Sequence, residues 1–219
     1  MPPAIDLSCA AVFLDFDGTI SVEDVGDHLA ERLAPAVRRR ADAEFGAGDI
    51  GSRGWLLDVW EALPKDETRL RAVAAEVPID PGVGALVAAL RAAGAEVTMV
   101  SDGFGFYVEE LCRRLELPVV TNAPDWSTGR LEFPHEDRCC PCSTCGTCKQ
   151  APIKDAHQRG QTTILVGDGA SDQKAALLAD VVFAKGVLAR WCADAGVAHQ
   201  HFETLDDVRA ALTGRSLES

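Results

Sequence analysis

Five short apolar runs constrain this chain more than anything else in it: Ala11–Phe16, Glu96–Ser101, Val119–Thr121, Thr163–Gly167 and Val181–Ala184. Each has the length and side-chain type of a buried strand. Helical patterns separate most of them; Val83–Ala93 stops at Gly94, and Tyr107–Leu115 stops before Pro118. Strands that alternate with helices predict an α/β fold with a mainly parallel sheet and helices on both faces.

The stretch between the first two runs, residues 22–78, breaks the alternation. It carries helical periodicity and no convincing strand. Leu29, Leu33 and Val37 share one helical face, and Leu56, Val59, Trp60 and Leu63 share another. Pro35, the glycine-rich Gly46–Gly54 and Pro64 punctuate it. Helices inserted directly after a first strand sit over the ligand crevice of such a sheet, which predicts a helical cap on a core of residues 1–21 and 79–219. The plainer alternative is that these helices only flank the sheet. Trp126–Phe133 reads as a short β-hairpin turning at Gly129, and the chain frays from about Gly214.

The chemistry gathers at strand ends. The first run closes in Asp15-Phe16-Asp17-Gly18-Thr19. Its two carboxylates, spaced i and i+2, fall on one side of the chain. They do so at the C-terminal edge where open α/β sheets bind ligands. A pair of this kind suits a nucleophile beside a proton donor. The second run ends in Ser101-Asp102-Gly103, a hydroxyl and backbone N–H groups presented to an anion. The fourth ends in Gly167-Asp168-Gly169-Ala170-Ser171-Asp172, and Lys149 lies upstream, just before a helix start. Each piece alone is an ordinary turn. Three strand ends bearing oxygen ligands, in an order that converges on one crevice, are not.

With those residues in place the sequence resembles the haloacid dehalogenase superfamily of phosphohydrolases. Asp15–Thr19, Ser101, Lys149 and Gly167–Asp172 match its four motifs in order across nearly the whole chain. The resemblance implies a Rossmann-like core with a C1-type cap, as in the phosphoserine phosphatase-like branch. The hairpin, Phe133-Pro134-His135 and Cys145-Gly146-Thr147-Cys148-Lys149 look more like the MtnX group. That group includes the phosphatase acting on 2-hydroxy-3-keto-5-methylthiopentenyl-1-phosphate. The phosphoethanolamine and phosphocholine phosphatases are related, and phosphoserine remains open as a substrate.

Carried over residue by residue, the resemblance makes Asp15 the nucleophile of an aspartyl-phosphate mechanism and Asp17 the general acid and base. Ser101, Asp102, Gly103 and Lys149 become the phosphate-binding group, with Lys154 as a rival for the lysine. Mg²⁺ falls to Asp15, the backbone carbonyl of Asp17, and Asp168, with Asp172 orienting Lys149 or a metal-bound water. Glu23 is the nearest match to an acidic substrate-contacting residue in the cap; its alternative is a helix N-terminus.

The formal charge of −13 argues against a nucleic-acid partner and leaves a small phosphorylated metabolite open. No run approaches the roughly 20 apolar residues of a membrane span. The N-terminus lacks a signal-peptide pattern, so a cytoplasmic location is expected. Cys139, Cys140, Cys142, Cys145 and Cys148 crowd one segment, and Cys142-x-x-Cys145-x-x-Cys148 has metal-ligand spacing. A structural Zn²⁺ on Cys139, Cys142, Cys145 and Cys148 is one reading; a redox pair or buried thiols are the others. Two further functions stay open: a phosphomutase, and a zinc-stabilised binding protein on a decayed phosphatase fold.

Overall fold

The computed structural model describes residues 5–136 and 144–214. Seven strands form one sheet: β1 (Ala10–Leu14), β2 (Glu96–Phe104), β3 (Val119–Asp125), β4 (Arg130–Glu132), β5 (Thr162–Gly167), β6 (Val181–Ala184) and β7 (Gln200–His201). Their order is β4-β3-β2-β1-β5-β6-β7, and all pairs are parallel except β3 with β4. The helices are α1 (Val25–Leu33), α2 (Pro35–Ala47), α3 (Ser52–Ala62), α4 (Glu67–Ala74), α5 (Val83–Ala92), α6 (Gly105–Leu115), α7 (Gln150–Gln158), α8 (Gln173–Ala176), α9 (Gly186–Ala195) and α10 (Leu205–Thr213).

β1 is central because every residue of it is buried, with Val12 and Leu14 fully so. Each fully buried aliphatic side chain of that size contributes roughly 1.5–3 kcal/mol, so this strand cannot sit at an edge. It is flanked by β2 on one side and β5 on the other. The chain crosses to opposite sides of β1 in its two halves, which makes the C-terminal end of β1 the switch-point crevice.

The strand stops two residues earlier than the apolar run. The Phe16 carbonyl accepts from the N–H groups of Thr19, Ile20 and Ser21, winding 16–21 into a turn. Gly18 holds φ +73 in that turn, and a Cβ there would collide with the Asp168 carboxylate. Two further expectations are corrected. Leu33 and Val37 do not continue one helix: Ala34 leaves helical geometry and Pro35 opens α2, where a missing N–H costs nothing. The hairpin uses β3 itself as its first arm, so residues 126–129 are its turn and not its strand.

Four helices, α1–α4, fill the gap between β1 and α5. The chain enters and leaves this segment side by side: Ser21 bridges Ile79, the Val22 N–H reaches the Pro78 carbonyl at 2.9 Å, and the Asp80 N–H reaches Ile20 at 2.8 Å. The segment shares one apolar core with the sheet. Trp60 of α3 is the main anchor. Its ring lies 5.5 Å from Phe104 and 5.6 Å from Trp126, and its indole N–H donates to the Gly129 carbonyl at 2.9 Å. Among the described residues, no helix is long and apolar enough to cross a membrane.

Candidate active site

Asp15 follows the last residue of β1 and is buried. Lys149, the residue before α7, reaches it from the other side of the sheet edge. The ammonium lies 2.6 Å from Asp15 Oδ1 and 2.8 Å from Asp172 Oδ1. Lys149, not Lys154, makes these contacts. All three side chains are at most 5% exposed, so the ion pairs sit in low dielectric. Asp172 is held in turn by the N–H groups of Asp168 (3.3 Å) and Gly169 (3.1 Å) in the turn after β5. The Thr19 hydroxyl donates to Asp168 at 2.9 Å. Carboxylate oxygens of Asp15, Asp168 and Asp172 thus lie within 4.8 Å of one another.

Three carboxylates against one lysine leave surplus negative charge. Burial, then repulsion from Asp172, push Asp15 well above the usual carboxylate range, with Lys149 opposing. Asp168 is also raised, first by burial and next by Asp172. Burial pulls Lys149 down, but Asp15 and Asp172 more than reverse it, so the lysine stays charged. A hard divalent cation on oxygen ligands is what this donor set fits.

Asp17 lies in the same cavity but faces another way. Its carboxylate accepts from the Val25 N–H (3.0 Å), the Tyr107 hydroxyl (3.1 Å) and the Ser101 hydroxyl (3.3 Å). Burial and the nearby Asp24 push it up to about 8. Asp17 is thereby held toward its protonated form at neutral pH. Gly103 allows this crowding, since a Cβ there would strike the Tyr107 hydroxyl and the Asp17 carboxylate. The Gly103 N–H donates to Ser101 Oγ at 3.0 Å.

The cavity above these groups measures about 940 Å³. Asp15, Asp17 and Asp168 line its floor; Val22, Phe45, Trp55 and Leu56 line its apolar wall. Glu23 sits on the rim with Asp24 and Asp27. Asp24 caps α1 by accepting from the Asp27 N–H at 2.8 Å. The Trp55 indole N–H donates to Asp42 at 2.7 Å, fixing the ring.

The family follows from this geometry and from one comparison. Residues 12–177 match the model of the haloacid dehalogenase-like hydrolases, three-quarters of the chain and every strand end described above. The chain belongs to the haloacid dehalogenase-like hydrolase family. Among its curated relatives, the 2-hydroxy-3-keto-5-methylthiopentenyl-1-phosphate phosphatase of Exiguobacterium sibiricum is 28% identical over 206 residues, covering 90% of this chain and 93% of the relative. The protein of the same name from Brevibacillus brevis is 26% identical over 204 residues, with 90% and 92% covered. Among solved structures, phosphoserine phosphatase from T. onnurineus superposes with a TM-score of 0.70 at 18% identity, covering 100% of this chain and 99% of that one. A phospho-aspartyl intermediate analogue of phosphoserine phosphatase gives 0.66 at 18%, covering 91% and 96%. These structural likenesses carry the haloacid dehalogenase-like fold.

Several expected residues have placements that the sequence could not give. The Asp102 carboxylate points to Ser52, Thr147 and Asn122. Phe104 is fully buried against Trp60 and does not line the cavity. Sequence reasoning missed Ser52, Trp55, and Tyr107 as a partner of Asp17. Tyr107 is 90 residues from Asp17 and Ser52 is 50 from Asp102, so no local spacing could signal either contact. The proposed zinc set falls partly outside the described residues, which exclude Cys139, Cys140 and Cys142.

Proposed function

We propose that this protein is a Mg²⁺-dependent phosphomonoesterase that works through an aspartyl-phosphate. The arrangement of Lys149 carries the reading. It binds Oδ1 of Asp15, a residue that lines the cavity, and no donor among the described residues is bonded to Oδ2. Asp15 Oδ2 attacks phosphorus, the ester P–O bond breaks, and Asp17 gives its proton to the leaving oxygen. Asp17, now a carboxylate, takes a proton from water as the water oxygen attacks phosphorus and the Asp15–phosphorus bond breaks. Lys149 and the Ser101 hydroxyl hold the non-bridging oxygens while charge develops on them. Asp15, Asp168 and the Asp17 backbone carbonyl would hold the Mg²⁺, with Asp172 positioning Lys149. When bound, the ion neutralises the floor so that an anionic carboxylate can meet an anionic phosphate.

Residues 22–78 serve as the cap, and the apolar wall they build supports a substrate with an apolar tail on a short phosphorylated head. The relatives' substrate, 2-hydroxy-3-keto-5-methylthiopentenyl-1-phosphate, has that shape, with a thioether at the far end. A second reading rests on the acidic rim, Glu23, Asp24 and Asp27, beside Phe45 and Trp55: acidic and aromatic groups together also suit an ammonium tail, as in phosphocholine.

Phosphate release from a panel of small phosphomonoesters, with Mg²⁺ and with EDTA, tests the proposal. Turnover that requires Mg²⁺ and disappears in Asp15→Asn is expected, and the preferred ester decides between the two tails. A folded enzyme that releases no phosphate from any ester, or an Asp15→Asn variant that keeps its activity, would contradict it.

A further inference from the structure

We propose that Asp102 is a positioning residue that ties helix α3 to the loop carrying Lys149, so that the cap segment and the phosphate-holding lysine move as one unit. Its two carboxylate oxygens face different parts of the chain. Oδ2 accepts from the Ser52 hydroxyl, at the start of α3, at 2.5 Å. Oδ1 accepts from the Thr147 N–H at 2.6 Å, two residues before Lys149, and from Asn122 Nδ2 at 3.4 Å. The Thr147 hydroxyl then donates to Asn122 Oδ1 at 3.0 Å, and Asn122 Nδ2 also donates to the Gly103 carbonyl at 3.0 Å, closing the network onto β2 and β3.

The surrounding backbone is shaped for this contact. A Cβ at Gly146 would lie 2.6 Å from Asp102 Oδ1 and 2.9 Å from Asn122 Nδ2. One at Gly51 would collide with the Thr144 carbonyl. That carbonyl also accepts from the Arg53 N–H at 3.1 Å, and Ser52 Oγ, whose one proton goes to Asp102, lies 3.3 Å from it. Arg53 pairs with Glu136 and stacks over Phe133 at 4.6 Å, so the first turn of α3 is fastened to both ends of the segment leading to Lys149. Asp102 lines the cavity with Ser52, burial raises it although the bonds from Ser52 and Thr147 oppose this, and both of its oxygens accept hydrogen bonds from the latch. Lys149 has no freedom of its own, being fully enclosed at the residue before α7. Its placement on Asp15 therefore depends on the loop at 144–148.

The proposal rests on Lys149 as the phosphate-holding group, and two readouts separate its failure from failure of that reading. The first is amide hydrogen exchange of the 144–149 loop in the resting enzyme, which needs no turnover. Ser52→Ala should speed exchange at Thr147 by about fivefold and Asp102→Ala by more, the effect of losing one and then several hydrogen bonds. The second is binding of inorganic phosphate with Mg²⁺ by calorimetry. Weakening of about fivefold for Ser52→Ala and more than tenfold for Asp102→Ala is expected. Asp102→Asn should restore most of both, because its oxygen still serves Thr147 and its NH₂ can donate to Ser52 Oγ. Ser52→Thr should also retain both, since it keeps the hydroxyl. The idea fails if Ser52→Ala leaves loop exchange and phosphate affinity at wild-type values. It also fails if Asp102→Asn keeps phosphate affinity but raises KM for one ester tail only, the signature of direct substrate contact.

Discussion

Lys149, bound to Asp15 of the cavity floor, is 4% exposed and is also held by Asp172, which accepts from two backbone N–H groups. On the wall Phe45 is 41% exposed and Val22 58%, and Trp55 is fixed by a single hydrogen bond to Asp42. The floor is built from residues that follow strand ends, where the sheet sets their position. The wall is built from helices α1–α3, whose packing on the sheet is apolar and tolerant of sequence. In the proposed function, chemistry thus falls to the sheet edge and substrate choice to the helices packed over it. The same division explains why the family is plain while the substrate has to be proposed.

The sharpest break in the comparison is on the floor. Asp15→Asn should lower kcat by about 10⁴-fold or more on every ester, since no other group can take the phosphoryl. Lys149→Ala should cost about 10²–10³-fold, again irrespective of the tail, and it also leaves Asp15 and Asp172 buried without their counter-charge. Its thermal stability without Mg²⁺ should fall as well, and a calorimetric scan checks that.

Wall substitutions should behave differently. Phe45→Ala should raise KM by about tenfold for a substrate with a long apolar tail and leave kcat on a short ester within about twofold. Steady-state kinetics on the two esters measures that split; an equal loss on both would place Phe45 with the floor.

The smallest effect concerns pH. In the metal-free protein burial and Asp24 push Asp17 from the ordinary 3.8 up to about 8, so the folded state holds a proton that the unfolded state has lost across that range. The associated stability is complete below about pH 4 and is lost as pH rises through about 8. Asp17→Asn should flatten this slope, so that its effect on Tm is more favourable at pH 8 than at pH 5. Thermal scans in EDTA at the two pH values give the comparison.

How much of this was legible in the sequence follows the same line. That Asp15, Asp17, Ser101, Asp168 and Asp172 would gather at one edge was legible because short motifs at strand ends are local, Lys149 before a helix start had Lys154 as a rival, and five of the parallel strands were visible as apolar runs. β7 was not: Gln200–His201 is two exposed polar residues whose strand geometry comes from pairing with β6. The break at Ala34 was missed because apolar spacing runs through it, although Pro35 marked it. The Ser52–Asp102 and Tyr107–Asp17 contacts join distant segments, and only the fold brings them together. Ser52 in particular lay inside a glycine-rich stretch that reads as punctuation and turns out to be the start of α3.

The covalent step at Asp15 is the centre of the account, and the stereochemical course at phosphorus tests it most directly. A phosphorothioate monoester made chiral with oxygen isotopes is hydrolysed in isotopically labelled water, and the configuration of the thiophosphate product is read. Two successive displacements, first by Asp15 and then by water, predict retention. Inversion would mean that water attacks phosphorus directly, and would contradict the role given to Asp15.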